Sequence, residues 1–177
     1  MIGGDMPRPC PAEASLRPTP TRMSNAARSA IRYAHTNLIA DDWRKLADFY
    51  VDLFDCVPVS SERDHHGPHT DDLTAIPGAR IQGRHLRLPG HGDNGPTLEV
   101  FTYQKNAAHP PTELNRPGFQ HLAFEVPDVT QKRQEVLARG GRDLGKLVTL
   151  NIAGAGQLTL IYMTDPEGNI IELQKWG

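Results

Sequence analysis

The sequence predicts an α+β fold in which two tandem βαβββ modules curl into a cupped mixed sheet. Three observations point there. An apolar strand-like stretch, one helix and three further strands occur in order twice within 177 residues. His35 and His121, each in the first strand of its half, stand seven positions ahead of Asp42 and Asp128, residues able to open a helix. Each half ends on an apolar stretch with a glutamate inside it: Glu99 in Thr97-Leu98-Glu99-Val100-Phe101, and Glu172 in Ile170-Ile171-Glu172-Leu173-Gln174. Such repetition marks a duplicated unit that pools its polar residues.

In module one (31–103), residues 31–39 read as a strand, and Asp41 or Asp42 supplies a helix N-cap. Trp43, Leu46, Ala47, Tyr50, Leu53 and Phe54 follow at helical spacing and give one apolar face. Residues 56–60 form a short strand. Residues 61–78 are polar, hold His65, His66 and His69, and read as a long loop with one helical turn, a lid over the site. Stretches 79–88 and 96–103 pair as strands around the turn at 90–95. Pro110, Pro111 and Pro117 mark 104–117 as a linker.

Module two (118–177) repeats the order. Residues 118–126 form a strand, and Asp128 caps a helix that ends at Gly140-Gly141. Strands follow at 142–150, 157–164 and 169–176, the last two joined by the turn Asp165-Pro166-Glu167-Gly168-Asn169. The His-to-Glu spacing is 64 residues in the first half and 51 in the second, and the excess fits the 61–78 segment.

Residues 1–30 are rich in Pro, Ser, Thr and Arg, lack an apolar signal core, and read as a disordered extension; Met6 or Met23 are alternative starts. A net charge of −2 gives no reason to expect nucleic acid or an anionic membrane as partner. No apolar run approaches the roughly 20 residues of a transmembrane helix. Cys10 and Cys56 suggest neither a disulfide framework nor a CxxC metal site, which fits a cytoplasmic protein.

Strand alternation puts His121 on the face opposite Leu122, Phe124 and Val126, Glu99 opposite Leu98 and Val100, and Glu172 opposite Ile171 and Leu173. Each polar residue alone has a bland explanation as a solvent-facing side chain. Recurrence at matching places in both halves argues for a shared site. Two imidazoles and two carboxylates suit one divalent metal: Zn, Ni, Co, Fe, Mn or Mg. Such a metal, open at two adjacent positions, would be a Lewis acid for a chelating substrate and stabilise an enediolate. Arg80, Arg84 and Arg87 read as edge charge, and a second metal at His65, His66 and His69 is disfavoured by the polar loop around them.

These stretches, with His35-Thr36-Asn37-Leu38, Gln120 to Asp128 and Asp165 to Leu173, resemble the vicinal oxygen chelate superfamily of glyoxalase I, bleomycin and fosfomycin resistance proteins and extradiol dioxygenases. The resemblance implies a metal inside the cup, held by His35, Glu99, His121 and Glu172 in the order of glyoxalase I. It further implies a lyase or isomerase that acts on a small substrate, with Glu172 as the first choice of proton-moving base and Glu99 the second. The expected substrate contacts are Asn37, Phe101, Tyr103 and Phe119. Ile39 and Tyr103 replace an Arg and an Asn usual in the glutathione-using enzyme, so a less polar substrate is expected. A homodimer is the expected assembly. The alternatives are a non-catalytic protein that sequesters an antibiotic or toxin and an Fe(II) extradiol-type dioxygenase.

Overall fold

In the computed structural model, residues 31–177 are described; the expected extension at 1–30, with Met6, Cys10 and Met23, lies outside them. Module one runs β1 (His35–Ile39), α1 (Trp43–Phe54), β2 (Val57–Pro58), β3 (Arg63–His66), α2 (Pro68–Thr74), β4 (Arg80–Arg87) and β5 (Thr97–Tyr103). Module two runs β6 (His121–Glu125), α3 (Val129–Ala138), β7 (Arg142–Asp143), β8 (Val148–Ile152), β9 (Gly156–Thr164) and β10 (Ile170–Trp176). The expected α+β duplication is present. In each module the first strand pairs parallel with the last, and the last pairs antiparallel with the one before it.

The second strand of each module comes in two pieces. β2 and β3 both pair with β4, and β7 and β8 both pair with β9. The segment 61–78 is therefore not a loop. It holds β3, which puts His65 opposite Ile81, and the two-turn helix α2. Pro68 opens α2, where its missing N–H costs nothing. The Asp71 carboxylate closes the segment by accepting from the Gly78 and Ala79 amides at 2.8 and 2.9 Å. Only Thr70 of α2 is buried, so the helix leaves no apolar periodicity to read in the sequence. The longer spacing of the first half is this helix, inserted where module two has a short turn between β8 and β9.

α1 follows its sequence signals. The Asp42 carboxylate accepts from the Lys45 amide at 3.2 Å, and Trp43, Leu46, Ala47, Phe49, Tyr50, Leu53 and Phe54 are buried. Each large side chain there contributes about 1.5–3 kcal/mol of burial. Asp128 caps α3 in the same way, accepting from Gln131 N at 2.9 Å, and Gly140 beyond it has φ +89°, a backbone suited to glycine. No described helix is long and apolar enough to cross a membrane.

The helix-bearing faces of both modules close on one apolar core. Leu38, Leu86, Leu98 and Val100 of module one belong to the same cluster as Phe124, Ile161, Met163, Ile171 and Leu173 of module two. Phe54 stacks on Phe124 at 4.2 Å between ring centres. The turn after β9 locks this junction. Asp165 is fully buried and accepts from the Tyr50 hydroxyl of α1 at 2.9 Å, and Glu167 accepts from the Asp41 and Asp42 amides at the α1 N-terminus at 3.1 and 3.0 Å. The two sheets share no strand pairing among the described residues. Their polar faces therefore lie on the far side of each sheet from the common core.

Candidate functional site

Cross-strand register, not sequence proximity, assembles each half of the site. In module one Asn37, Glu99 and His85 lie abreast on β1, β5 and β4. In module two Ala123, Glu172 and Tyr162 lie abreast on β6, β10 and β9. Residues abreast share a face, so His85 and Tyr162 occupy corresponding places. Neither stands out in the sequence, because the β4–β5 register depends on the conformation of the connection at 88–96.

The expected quartet comes together as two pairs. His35 Nε2 is 3.4 Å from Glu99 Oε2, and His121 Nε2 is 3.4 Å from Glu172 Oε2. Glu99 is held on both oxygens: Asn37 donates to Oε2 at 3.1 Å, and His85 Nε2 lies 3.0 Å from Oε1. His85 Nδ1 meets the Thr97 hydroxyl at 3.2 Å. Burial lowers the His85 pKa, the Glu99 carboxylate opposes the shift, and Arg63, His35 and His65 add to it. Glu172 faces Tyr162, whose phenol is raised above its ordinary pKa by burial first and then by the Glu172 carboxylate. Both glutamates are well shielded, with 14% and 10% side-chain exposure, while His35 and His121 stay open at 47% and 30%.

Two donors bound at about 2.1 Å to one ion stand roughly 3–3.4 Å apart. Each His–Glu pair matches that separation, and the mixed N/O donors suit a divalent cation. His35 and His85 approach opposite oxygens of Glu99 with their rings edge-on, 6.1 Å between centres, so these three do not converge on a point. Among the described residues no group of three or more His, Cys, Asp and Glu side chains is gathered as a metal ion would need. One chain thus presents two separate His–Glu pairs.

Of the expected substrate contacts, Phe101 lies over β4, where a Cβ at Gly83 would fall 2.0 Å from its ring. This buries Phe101 on an otherwise open face. Tyr103 is half-buried beside it, and Asn37 is engaged with Glu99. Phe119 is 73% exposed and lines a cavity of roughly 210 Å³ with His109, Arg116, Gln120 and His121. His66 joins Asp64, which Arg80 holds down to about 2, and so belongs to a surface ion cluster.

The rest of the two faces differs. Around Glu99 stand Arg63, His65 and His85, with Ile81, Phe101 and Tyr103 beyond; at the matching register around Glu172 stand Val148, Leu150 and Tyr162, with Leu158, Leu160, Gln174 and Trp176 beyond.

Residues 32–173 match the family model described as Glyoxalase/Bleomycin resistance protein/Dioxygenase superfamily. A glyoxalase family protein from Bacillus cereus is similar in structure, with TM-score 0.71 and 15% identity over 82% of this chain and 94% of that one. A glyoxylase/bleomycin resistance protein/dioxygenase domain from Frankia gives TM-score 0.54 and 16% identity over 84% and 100%. The fosfomycin resistance protein FosX of Listeria monocytogenes, solved with Mn(II) and sulfate, gives TM-score 0.46 and 13% identity over 84% and 93%. No curated protein sequence matches this one.

Proposed function

Because this chain belongs to the glyoxalase/bleomycin resistance protein/dioxygenase superfamily, we propose that it is a metal-dependent lyase or isomerase of the glyoxalase I type, with its site completed between two copies of the chain. His35 and Glu99 of one copy and His121 and Glu172 of the other would hold one divalent ion. That ion would supply a Lewis acid for two neighbouring oxygens of the substrate. The chain supplies the proton transfer. The Glu172 carboxylate takes the proton from a hydroxyl-bearing carbon beside a carbonyl and returns it to the carbonyl carbon, while the hydroxyl proton passes to the former carbonyl oxygen, so atoms and electrons balance. Glu172 suits this better than Glu99, whose oxygens are already engaged by Asn37, His35 and His85. The apolar face of Val148, Leu150, Leu158 and Leu160 suits a substrate whose remainder is less polar than glutathione.

The observation that carries this reading is the separation of two matched His–Glu pairs on faces turned away from a shared core. A two-fold dimer unites such half-sites. The test needs no substrate. Purified wild-type protein is expected to hold about one divalent metal per chain and a His121→Ala variant none, in line with one shared site per chain in a two-fold dimer. His35→Ala and His121→Ala chains, each without metal, are then unfolded and refolded together. Random pairing gives heterodimers with one intact site, so about a quarter of the wild-type metal should return. No recovery would place the site within one chain. No metal in the wild type would leave capture of a small apolar molecule as the better reading, which the face of Leu150 and Leu158 favours.

A further inference from the structure

His121 is tied on its far side by a chain of hydrogen bonds with only one polarity. The Gln120 side-chain amide donates through Nε2 to the Leu114 carbonyl of the linker at 2.8 Å. Gln120 Oε1 lies 2.8 Å from His121 Nδ1. Amide orientations are ordinarily interchangeable, but this one is not. A carbonyl oxygen only accepts, so the group facing Leu114 must be the NH2, and the group facing His121 must be the oxygen. An oxygen that only accepts requires a proton on Nδ1. Neutral His121 then carries its lone pair on Nε2, the atom that faces Glu172 Oε2 at 3.4 Å.

We infer that Gln120 is a positioning residue that fixes His121 as the Nδ1–H tautomer and aims its Nε2 lone pair at the Glu172 side of the site. Ala34 precedes His35 in the corresponding place and has no side-chain acceptor, so the device belongs to module two alone. It also gives the linker a purpose. Thr112 donates to the Gly168 carbonyl at 2.8 Å, which anchors the linker on module two and holds Leu114 where Gln120 can reach it. Partners of this kind raise a histidine's strength as a ligand, and their loss costs about 10–100-fold in metal affinity.

The inference rests on the proposed metal reading only for that last consequence, and its primary test omits metal. In 15N-histidine-labelled, metal-free protein above pH 8, long-range 15N–1H correlations report which ring nitrogen carries the proton. Wild-type His121 should show a protonated Nδ1 and a bare Nε2. Gln120→Leu should move His121 to the Nε2–H form that a free histidine side chain prefers and leave His35 unchanged. Gln120→Glu, which keeps an acceptor beside Nδ1, should restore the wild-type pattern and guards against a general folding defect in the leucine variant. An Nε2–H signal in the wild type, or an Nδ1–H signal that survives in Gln120→Leu, would overturn the assignment. Absence of metal binding with the tautomer as stated would overturn the proposed function and leave this inference standing.

Discussion

The two modules repeat one backbone plan and differ in chemistry at matched positions of their open faces. Arg63 and His65 of β3 correspond in register to Val148 and Leu150 of β8, and His85 of β4 corresponds to Tyr162 of β9. At these positions module one presents imidazoles and a guanidinium that forms no ion pair among the described residues, beside the apolar Ile81 and Phe101, while module two presents aliphatic side chains and a phenol. The glutamates differ likewise. Glu99 is gripped by Asn37 and two histidines, whereas Glu172 faces one histidine and a phenol that keeps its proton. Duplication fixes where the His and Glu residues stand. On the proposed function, the residues between them suit one half to hold the metal and the other to react and to accept an apolar body.

The sharpest way to break this contrast is to neutralise each glutamate in turn. Glu172→Gln should lower turnover about 10³-fold, the scale of a positioned base, and Glu99→Gln should act mainly through weaker metal retention. Equal losses in turnover, with metal equally retained in both variants, would erase the division of labour. Next in size is Leu150→Asp. This side chain is 46% exposed on β8, so stability should hold, while KM for an apolar substrate rises about tenfold, the scale of one lost apolar contact. The matching change His65→Leu should leave that KM unaltered. Urea unfolding beside the kinetics separates binding from folding.

Much of this arrangement is legible before any coordinates. Period-2 alternation puts Glu99 and Glu172 opposite the core, and Asp42 and Asp128 announce their helices, because these signals are local. Of the α2 helix only one turn is legible, because it buries no apolar face. His85, Tyr162 and Gln120 are hidden for another reason: each matters through a partner fixed by register or by the linker, which a single strand cannot report. The separation of the sheets is hidden too, since Leu98 and Leu173 read as core residues whether their modules share one core or have two.

The connection between the last two strands distinguishes the modules again, and it sets the remaining effects. In module one this connection is the open segment 88–96; in module two it is the turn of Asp165 to Asn169, bonded to α1. Burial raises the Asp165 carboxyl above its ordinary pKa, against donors on Asn169, Tyr50 and the Glu167 amide. A raised acid contributes its stability fully below the unfolded value near 4, and loses it as pH rises through the folded value. Tyr50→Phe removes one donor and pushes that carboxyl further up. Its cost should therefore grow from pH 4 to pH 7, to about 2 kcal/mol for a bond to a charged group. A cost that stayed flat across that range would mean that Asp165 does not ionise there. Glu167→Gln is the mildest change. Its side chain can still accept from one of the Asp41 and Asp42 amides, so one hydrogen bond and the charge at the α1 N-terminus are lost, and about 1 kcal/mol is expected. The charge part of that loss, between a module-two turn and a module-one helix, should shrink in high salt. A loss that salt does not change would assign the role of Glu167 to its hydrogen bonds alone, and the charge on the turn would then play no part in joining the modules.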